Sequence, residues 1–201
     1  SSMDQPAEVS VLEQGPLFVK VAVRGKIGKY PFTQTIRLTQ GEPRIDMSVK
    51  LDWIGSPRIG EPGIEFRADN PRKSFYDDRY KLLVYLPIQI ANQQIYKDAP
   101  FDVCKSRLEN TFFNRWDSIK HNIILNWVDV ASKDNSCGLS LFTDHTTSYA
   151  HGKDFPLALN VQYAGKGLWG RDYIIDRPTE ISYALIPVSY THLRAHETVL
   201  D

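Results

Sequence analysis

Hydrophobic and polar residues alternate along much of this chain with the two-residue period of half-buried strands. The clearest run is Ile45 to Trp53: Ile45, Met47, Val49, Leu51 and Trp53 take one face, and Asp46, Ser48, Lys50 and Asp52 take the other. In the segment before it, Phe32, Ile36 and Leu38 share a face. Leu17 to Arg24 is rich in strand-forming residues, with Phe18, Val21 and Val23 as core candidates. Turn residues separate these runs, at Gly25 to Lys29 and at Gly41-Glu42-Pro43. Further strands are expected near 80–89, 93–96, 138–143, 157–163 and 180–186, and Ile123 to Val130 is apolar enough to make an interior strand. Residues 55–78, dominated by Gly, Pro, Arg and Asp, read as a long loop, and 105–120 hold a short helix or an excursion. No segment sustains a 3.6-residue period, and a parallel sheet would need a helix of about a dozen residues between strands. The pattern therefore predicts an all-β fold, an antiparallel β-sandwich or barrel, with Trp53 and Trp127 largely buried.

Composition narrows the picture only a little. The 201 residues suffice for one substantial domain, or for two small β-units sharing a core. The 24 basic and 24 acidic residues cancel, so neither nucleic acid nor a membrane is expected as a partner. Two cysteines, Cys104 and Cys137, make no disulfide framework and no CxxC metal motif; both are expected as small buried hydrophobes. The end of the chain follows neither period. Pro187 to Thr198 resembles the translated read-through of a sequencing-library transposon adapter. That resemblance sets a domain of residues 1–187 apart from a non-native-looking tail at 188–201, and leaves His192 and His196 without a role.

Candidate chemistry is sparse. There is no GxSxG, no HExxH and no Gly-rich phosphate loop. His145 and His151 lie six apart in an apparent loop with Asp144 and Asp154 nearby, but a zinc site needs a third ligand and hydrogen-bond partners that orient the ligands. Acidic residues are plentiful, yet nothing selects a pair at the roughly 5–9 Å spacing of glycoside hydrolysis. The densest polar cluster runs from Gly138 to Asp176. Within it, Asp144, His145 and Tyr149 follow an apolar strand, and Trp169, Arg171 and Asp172 sit among Gly165, Gly167 and Gly170. A tryptophan face stacks on a sugar ring, and Arg and Asp make directional bonds to hydroxyls, so these residues could form a saccharide surface. The other reading is a glycine-rich hairpin whose Trp packs on the sandwich.

Several short motifs follow one another along the chain: Glu13-Gln14-Gly15-Pro16-Leu17, Arg44-Ile45-Asp46, Asp52-Trp53, Lys81-Leu82-Leu83 and Ala99-Pro100-Phe101. Trp127-Val128-Asp129, Gly138-Leu139-Ser140-Leu141-Phe142-Thr143-Asp144 and Tyr183-Ala184-Leu185-Ile186-Pro187 follow. In this order and spacing the chain resembles the C-terminal β-sandwich region of the glycoside hydrolase family 38 α-mannosidases, over residues 9–187. The stretch 55–78 departs from the family's compact turn. The resemblance implies a galactose mutarotase-like supersandwich, incomplete at its N-terminal side. It also implies a parent enzyme that hydrolyses terminal α-mannosides with retention. The family's zinc and aspartate nucleophile belong to a preceding α/β barrel, and no residue here matches them. The chain is therefore expected to carry no catalytic residue, to bind no metal or other cofactor, and to be inactive alone. Its implied partners are an α-mannoside and the catalytic barrel of the same parent chain. Asp144, His145, Tyr149, Trp169, Arg171 and Asp172 are the candidates for the substrate edge. The alternative is a free-standing carbohydrate-binding β-sandwich module.

Overall fold

The computed structural model describes residues 1–57, 81–106, 119–152, 155–163, 165–166, 172–173 and 175–188, with the backbone alone at 119–121, 163, 165–166 and 172–173. Its first strands are β1 (Glu8–Gln14), β2 (Phe18–Ile27), β3 (Tyr30–Thr39) and β4 (Ile45–Leu51). Next come β5 (Lys81–Leu86), β6 (Gln94–Ala99), β7 (Asp102–Ser106), β8 (Ile119–Ile124), β9 (Trp127–Ala131) and β10 (Gly138–Thr143). The remainder are β11 (Thr147–Gly152), β12 (Leu157–Tyr163), β13 (Gly165–Lys166), β14 (Asp172–Tyr173) and β15 (Thr179–Val188). Among the described residues the single helical element is a 3-10 turn at Ser2–Asp4. No helix there is long and apolar enough to cross a membrane.

The strands form a nine-stranded sheet, in the order β1-β2-β3-β4-β15-β10-β9-β6-β7, a four-stranded sheet, β5-β12-β11-β8, and a small β13-β14 pair. Neighbouring strands run antiparallel throughout, as between β4 and β15 or β11 and β12. The two larger sheets face each other, as an antiparallel sandwich requires. From the large sheet, Val49, Ile181, Tyr183, Leu141, Val128, Val130 and Ile95 point inward. They meet Leu86, Leu157, Leu159, Val161, Tyr149 and Ile124 of the small one. Fully burying one such aliphatic side chain stabilises by about 1.5–3 kcal/mol, so this seam holds the sheets together.

The small sheet covers only part of the large one, which explains where the pattern misleads. Val21 and Val23 of β2 stand in register with Ile36 and Gln34 of β3, and through them with Met47 and Val49 of β4. They face the core side, yet they and Phe18 are only half-buried, and the buried residue of β2 is Ala22 on the opposite face. Trp53 and Trp127 are half-buried rather than largely buried. Trp53 lies past the end of β4, edge-on to Tyr30 with ring centroids 4.9 Å apart, and donates its indole N–H to Thr179 at 2.8 Å. Trp127 pairs with Phe142 and so points away from the core, on the side opposite Val128. Cys104, on the edge strand β7, is partly exposed and Cys137, in a loop, is exposed; both are free thiols.

The apolar run 123–130 is not one strand. It ends β8 in the small sheet, turns at Leu125-Asn126, and begins β9 in the large sheet. The buried Asp98 carboxylate makes the crossing possible. It accepts the backbone N–H groups of Leu125 at 2.9 Å, Asn126 at 2.6 Å and Trp127 at 3.3 Å, giving the freed donors a partner where no strand can. Of the long stretch 55–78, residues 55–57 are without strand, with Gly55 at φ 78°, and 58–78 lie outside the described residues, as do 107–118. At the other end, β15 continues through Pro187 and Val188, opposite Leu139 and Gly138. Pairing with β4 has already ended at Leu185, so Pro187, which has no N–H to give, costs no ladder bond on that side. Residues 189–201 lie outside the described set.

Candidate functional site

The face of the large sheet that looks away from the small one carries a cavity of about 610 Å³. Two registered rows build it. One runs across the sheet as Lys20, Arg37, Asp46, Ala184 and Phe142, and the other as Thr35, Ser48 and Ser182. The small side chains of Ser182 and Ala184 lie between longer ones, which leaves a hollow on an otherwise pleated surface. Ile186 and Asp144 also line it. These positions are the outward half of the alternation that builds the core, so one sequence pattern shapes both faces of the sheet.

Charges and hydroxyls in the cavity are ordered by local contacts. Arg44 donates from Nε to Asp46 at 2.6 Å. The guanidinium of Arg37 lies over the Phe18 ring, 4.3 Å from its centroid. Lys20 stands directly opposite Arg37, a like-charge pairing that destabilises a sheet, and its nearest acid is Glu13 at 3.9 Å. The hydroxyls of Thr35 and Ser48 bond across the strands at 2.5 Å. Asp144 and His145 occupy the turn between β10 and β11, where Asp144 Oδ1 meets His145 Nδ1 at 2.6 Å. Thr143 fixes that turn, donating its hydroxyl to the His145 carbonyl at 2.9 Å and its N–H to Asn126 O at 2.7 Å.

The substrate-edge candidates do not stay together. Asp144 is exposed and lines the cavity, and His145 sits beside it, partly exposed. Tyr149, expected at the substrate edge, instead faces inward from β11 with 1% exposure, in the core, and has no surface to offer a substrate. Burial pushes its phenol up to about 12; Ser106 lies close enough to offset part of this, but no described partner meets hydrogen-bond geometry. Asp172 is in β14, its backbone opposite Lys166, and its side chain lies outside the described residues, as do Trp169 and Arg171 entirely. His151, expected in a loop, is in β11 and buried, with Nε2 2.6 Å from Gln93 Oε1 and no partner at Nδ1. Desolvation lowers it to about 4. Asp154 lies outside the described residues, and among these no three potential ligands come together as a metal group. Sequence reasoning missed Lys20, Arg37, Ser48, Ser182 and Phe142, because only cross-strand register brings them into one cavity. The available signal was Phe142, an apolar residue on the polar side of its strand.

Comparison with known proteins places this architecture. The family model for the glycosyl hydrolases family 38 C-terminal domain matches residues 1–160. No curated protein matches. Among solved structures, an α-mannosidase from Enterococcus faecalis superposes with a TM-score of 0.67 at 11% identity, covering 95% of this chain and 23% of that one. An α-galactosidase from Lactobacillus brevis aligns with a TM-score of 0.48 at 7% identity, covering 92% of this chain and 26% of that one. The chain thus spans about a quarter of the length of either protein. The α-mannosidase likeness is one of fold alone, and the family match over residues 1–160, most of the sequence, shows that this chain belongs to glycosyl hydrolase family 38 as a C-terminal domain.

Proposed function

We propose that this chain is the non-catalytic C-terminal portion of a retaining α-mannosidase that hydrolyses terminal α-mannosides, and that it supports the catalytic barrel and borders the substrate cleft. The family match over residues 1–160 carries the reading. A second feature supports a packing role. The core-side face of the large sheet continues past the small sheet onto β1 to β3, where Val9 and Val11 are 67% and 59% exposed and Leu38 is also exposed. A row of apolar side chains uncovered within this chain suits a surface that packs on the rest of a longer protein. In this reading zinc and the nucleophile belong to the barrel, and no step is assigned to residues of this chain. The Asp144-His145 turn is the described segment that could reach a cleft, because it is exposed and internally braced.

The test is a full-length parent protein assayed with an aryl α-mannoside in the presence of zinc, alongside the 201-residue chain alone. The parent should turn over and the chain should not; turnover by the chain would end the non-catalytic reading. Asp144→Ala in the parent should lower kcat/KM by about 10- to 150-fold, the range for a lost hydrogen bond to a charged group. Its melting temperature should not change. Normal kinetics with Asp144→Ala would place the turn away from the cleft.

A further inference from the structure

We propose that the cavity on the outer face of the nine-stranded sheet is a saccharide-binding site, with Phe142 at one end and the Lys20–Arg37 pair at the other. Mannose as the first sugar to try rests on the family reading above; the site itself rests on its own geometry. The volume of about 610 Å³ falls within the roughly 300–1,000 Å³ of small-molecule sites. Its lining selects the chemistry by exclusion. An apolar ligand would strip water from the hydroxyls of Ser48 and Ser182 without replacing their bonds. An anion would find Lys20 and Arg37 attractive, but the Arg44 charge is already taken by Asp46 and the carboxylate of Asp144 also faces the site. A polyhydroxylated ring can donate to the acids and accept from the cations at once, and it presents an apolar C–H face to an aromatic wall.

Four details go beyond a generic polar hollow. Lys20 and Arg37 are held directly opposite each other although like charges there disfavour the sheet. Asp46, the cross-strand neighbour that could relieve Arg37, is engaged by Arg44. No carboxylate among the described residues pairs with Arg37, whose guanidinium instead lies over the Phe18 ring, a contact that restricts the side chain before a ligand arrives. Three strands further along the same row, Phe142 is a partly exposed apolar side chain on a polar face, and its neighbour across the ladder is Ala184, short enough to leave room for a ring.

Ligand-observed NMR and calorimetry on the 201-residue chain test this, with α-mannobiose, cellobiose and inorganic phosphate as the compounds added. A sugar should bind, and Arg37→Ala and Phe142→Ala should each weaken it at least tenfold while Lys26→Ala, on the strand of Lys20 but outside the cavity, leaves it unchanged. If Arg37→Ala lowers the melting temperature, Arg37→Lys keeps the charge, loses the planar fork, and should show the same weakening. Absence of sugar binding to the folded chain, sugar binding indifferent to both substitutions, or phosphate binding in place of sugar would each overturn the proposal. Aryl α-mannoside hydrolysis by the parent decides the family reading separately. An inactive parent whose C-terminal chain binds sugar in this cavity sinks that reading alone, and an active parent whose chain binds none sinks this one alone.

Discussion

His151 shows what single residues contribute and what their spacing conceals. Gln93 donates its amide N–H to Ile88 O at 3.2 Å, which leaves Oε1 to accept, so His151 carries its proton on Nε2 and keeps a bare Nδ1. Charging Nδ1 would put a cation into the core, hence the fall from 6.5 to about 4. The folded value is depressed, so the unfolded chain takes up the proton first. Stability is full above pH 6.5 and declines as the pH falls toward 4. By pH 5 the loss relative to pH 7 should be about 2 kcal/mol. His151→Gln should flatten that part of the profile, measured by urea unfolding at pH 7 and pH 5; an equal loss in both proteins would show that His151 is not responsible. The sequence paired His151 with His145 by spacing alone. What separates them is the strand boundary at Thr147: His145 belongs to the turn, while Tyr149 and His151, two apart, share the inner face of β11. Polar composition across 143–151 hides that boundary, because Ser148 and His151 are polar residues inside a buried strand.

At the level of elements, legibility depends on whether the force that ends a strand is local. β4 could be read directly, because nine alternating residues carry their own facing and the turn before them holds Gly41 and Pro43. The crossing from β8 to β9 could not, since the apolar run is unbroken and its terminator, Asp98, lies 27 residues before Leu125. The carboxylate satisfies three consecutive N–H groups at a place where the chain leaves one sheet for the other. Leaving a buried donor unpaired costs about 1–3 kcal/mol. Asp98→Ala should therefore lower unfolding free energy by roughly 1–3 kcal/mol, with Asp98→Asn, which keeps one acceptor oxygen, in between. Chemical denaturation of the three proteins measures this. A loss below about 0.5 kcal/mol for Asp98→Ala, the scale of an ordinary surface change, would mean that water replaces the carboxylate and that the crossing is held elsewhere.

On the scale of the whole molecule, the class of fold was legible and its order was not. Alternation predicts strands and antiparallel pairing, but it is silent on β15 joining β4 to β10, a closure that brings residues as far apart as Lys20 and Ile186 to one cavity. The same closure leaves the large sheet wider than the small one, and with it the uncovered apolar row of β1 to β3. This surface yields opposite expectations for the chain alone and for the parent. In the chain alone, Val11→Glu replaces an exposed apolar side chain with a solvated charge, so stability should change by no more than about 0.5 kcal/mol. Any self-association of the chain through this row should also diminish. In the parent, if the row is covered by the rest of the protein, the same substitution buries an unpaired carboxylate, at a cost of about 1–3 kcal/mol or more. Thermal unfolding of Val11→Glu in both contexts, with sedimentation to follow association, separates the two. A parent as indifferent to Val11→Glu as the chain alone would show that this row faces solvent in the intact enzyme, and would remove the packing role from the function proposed for this domain.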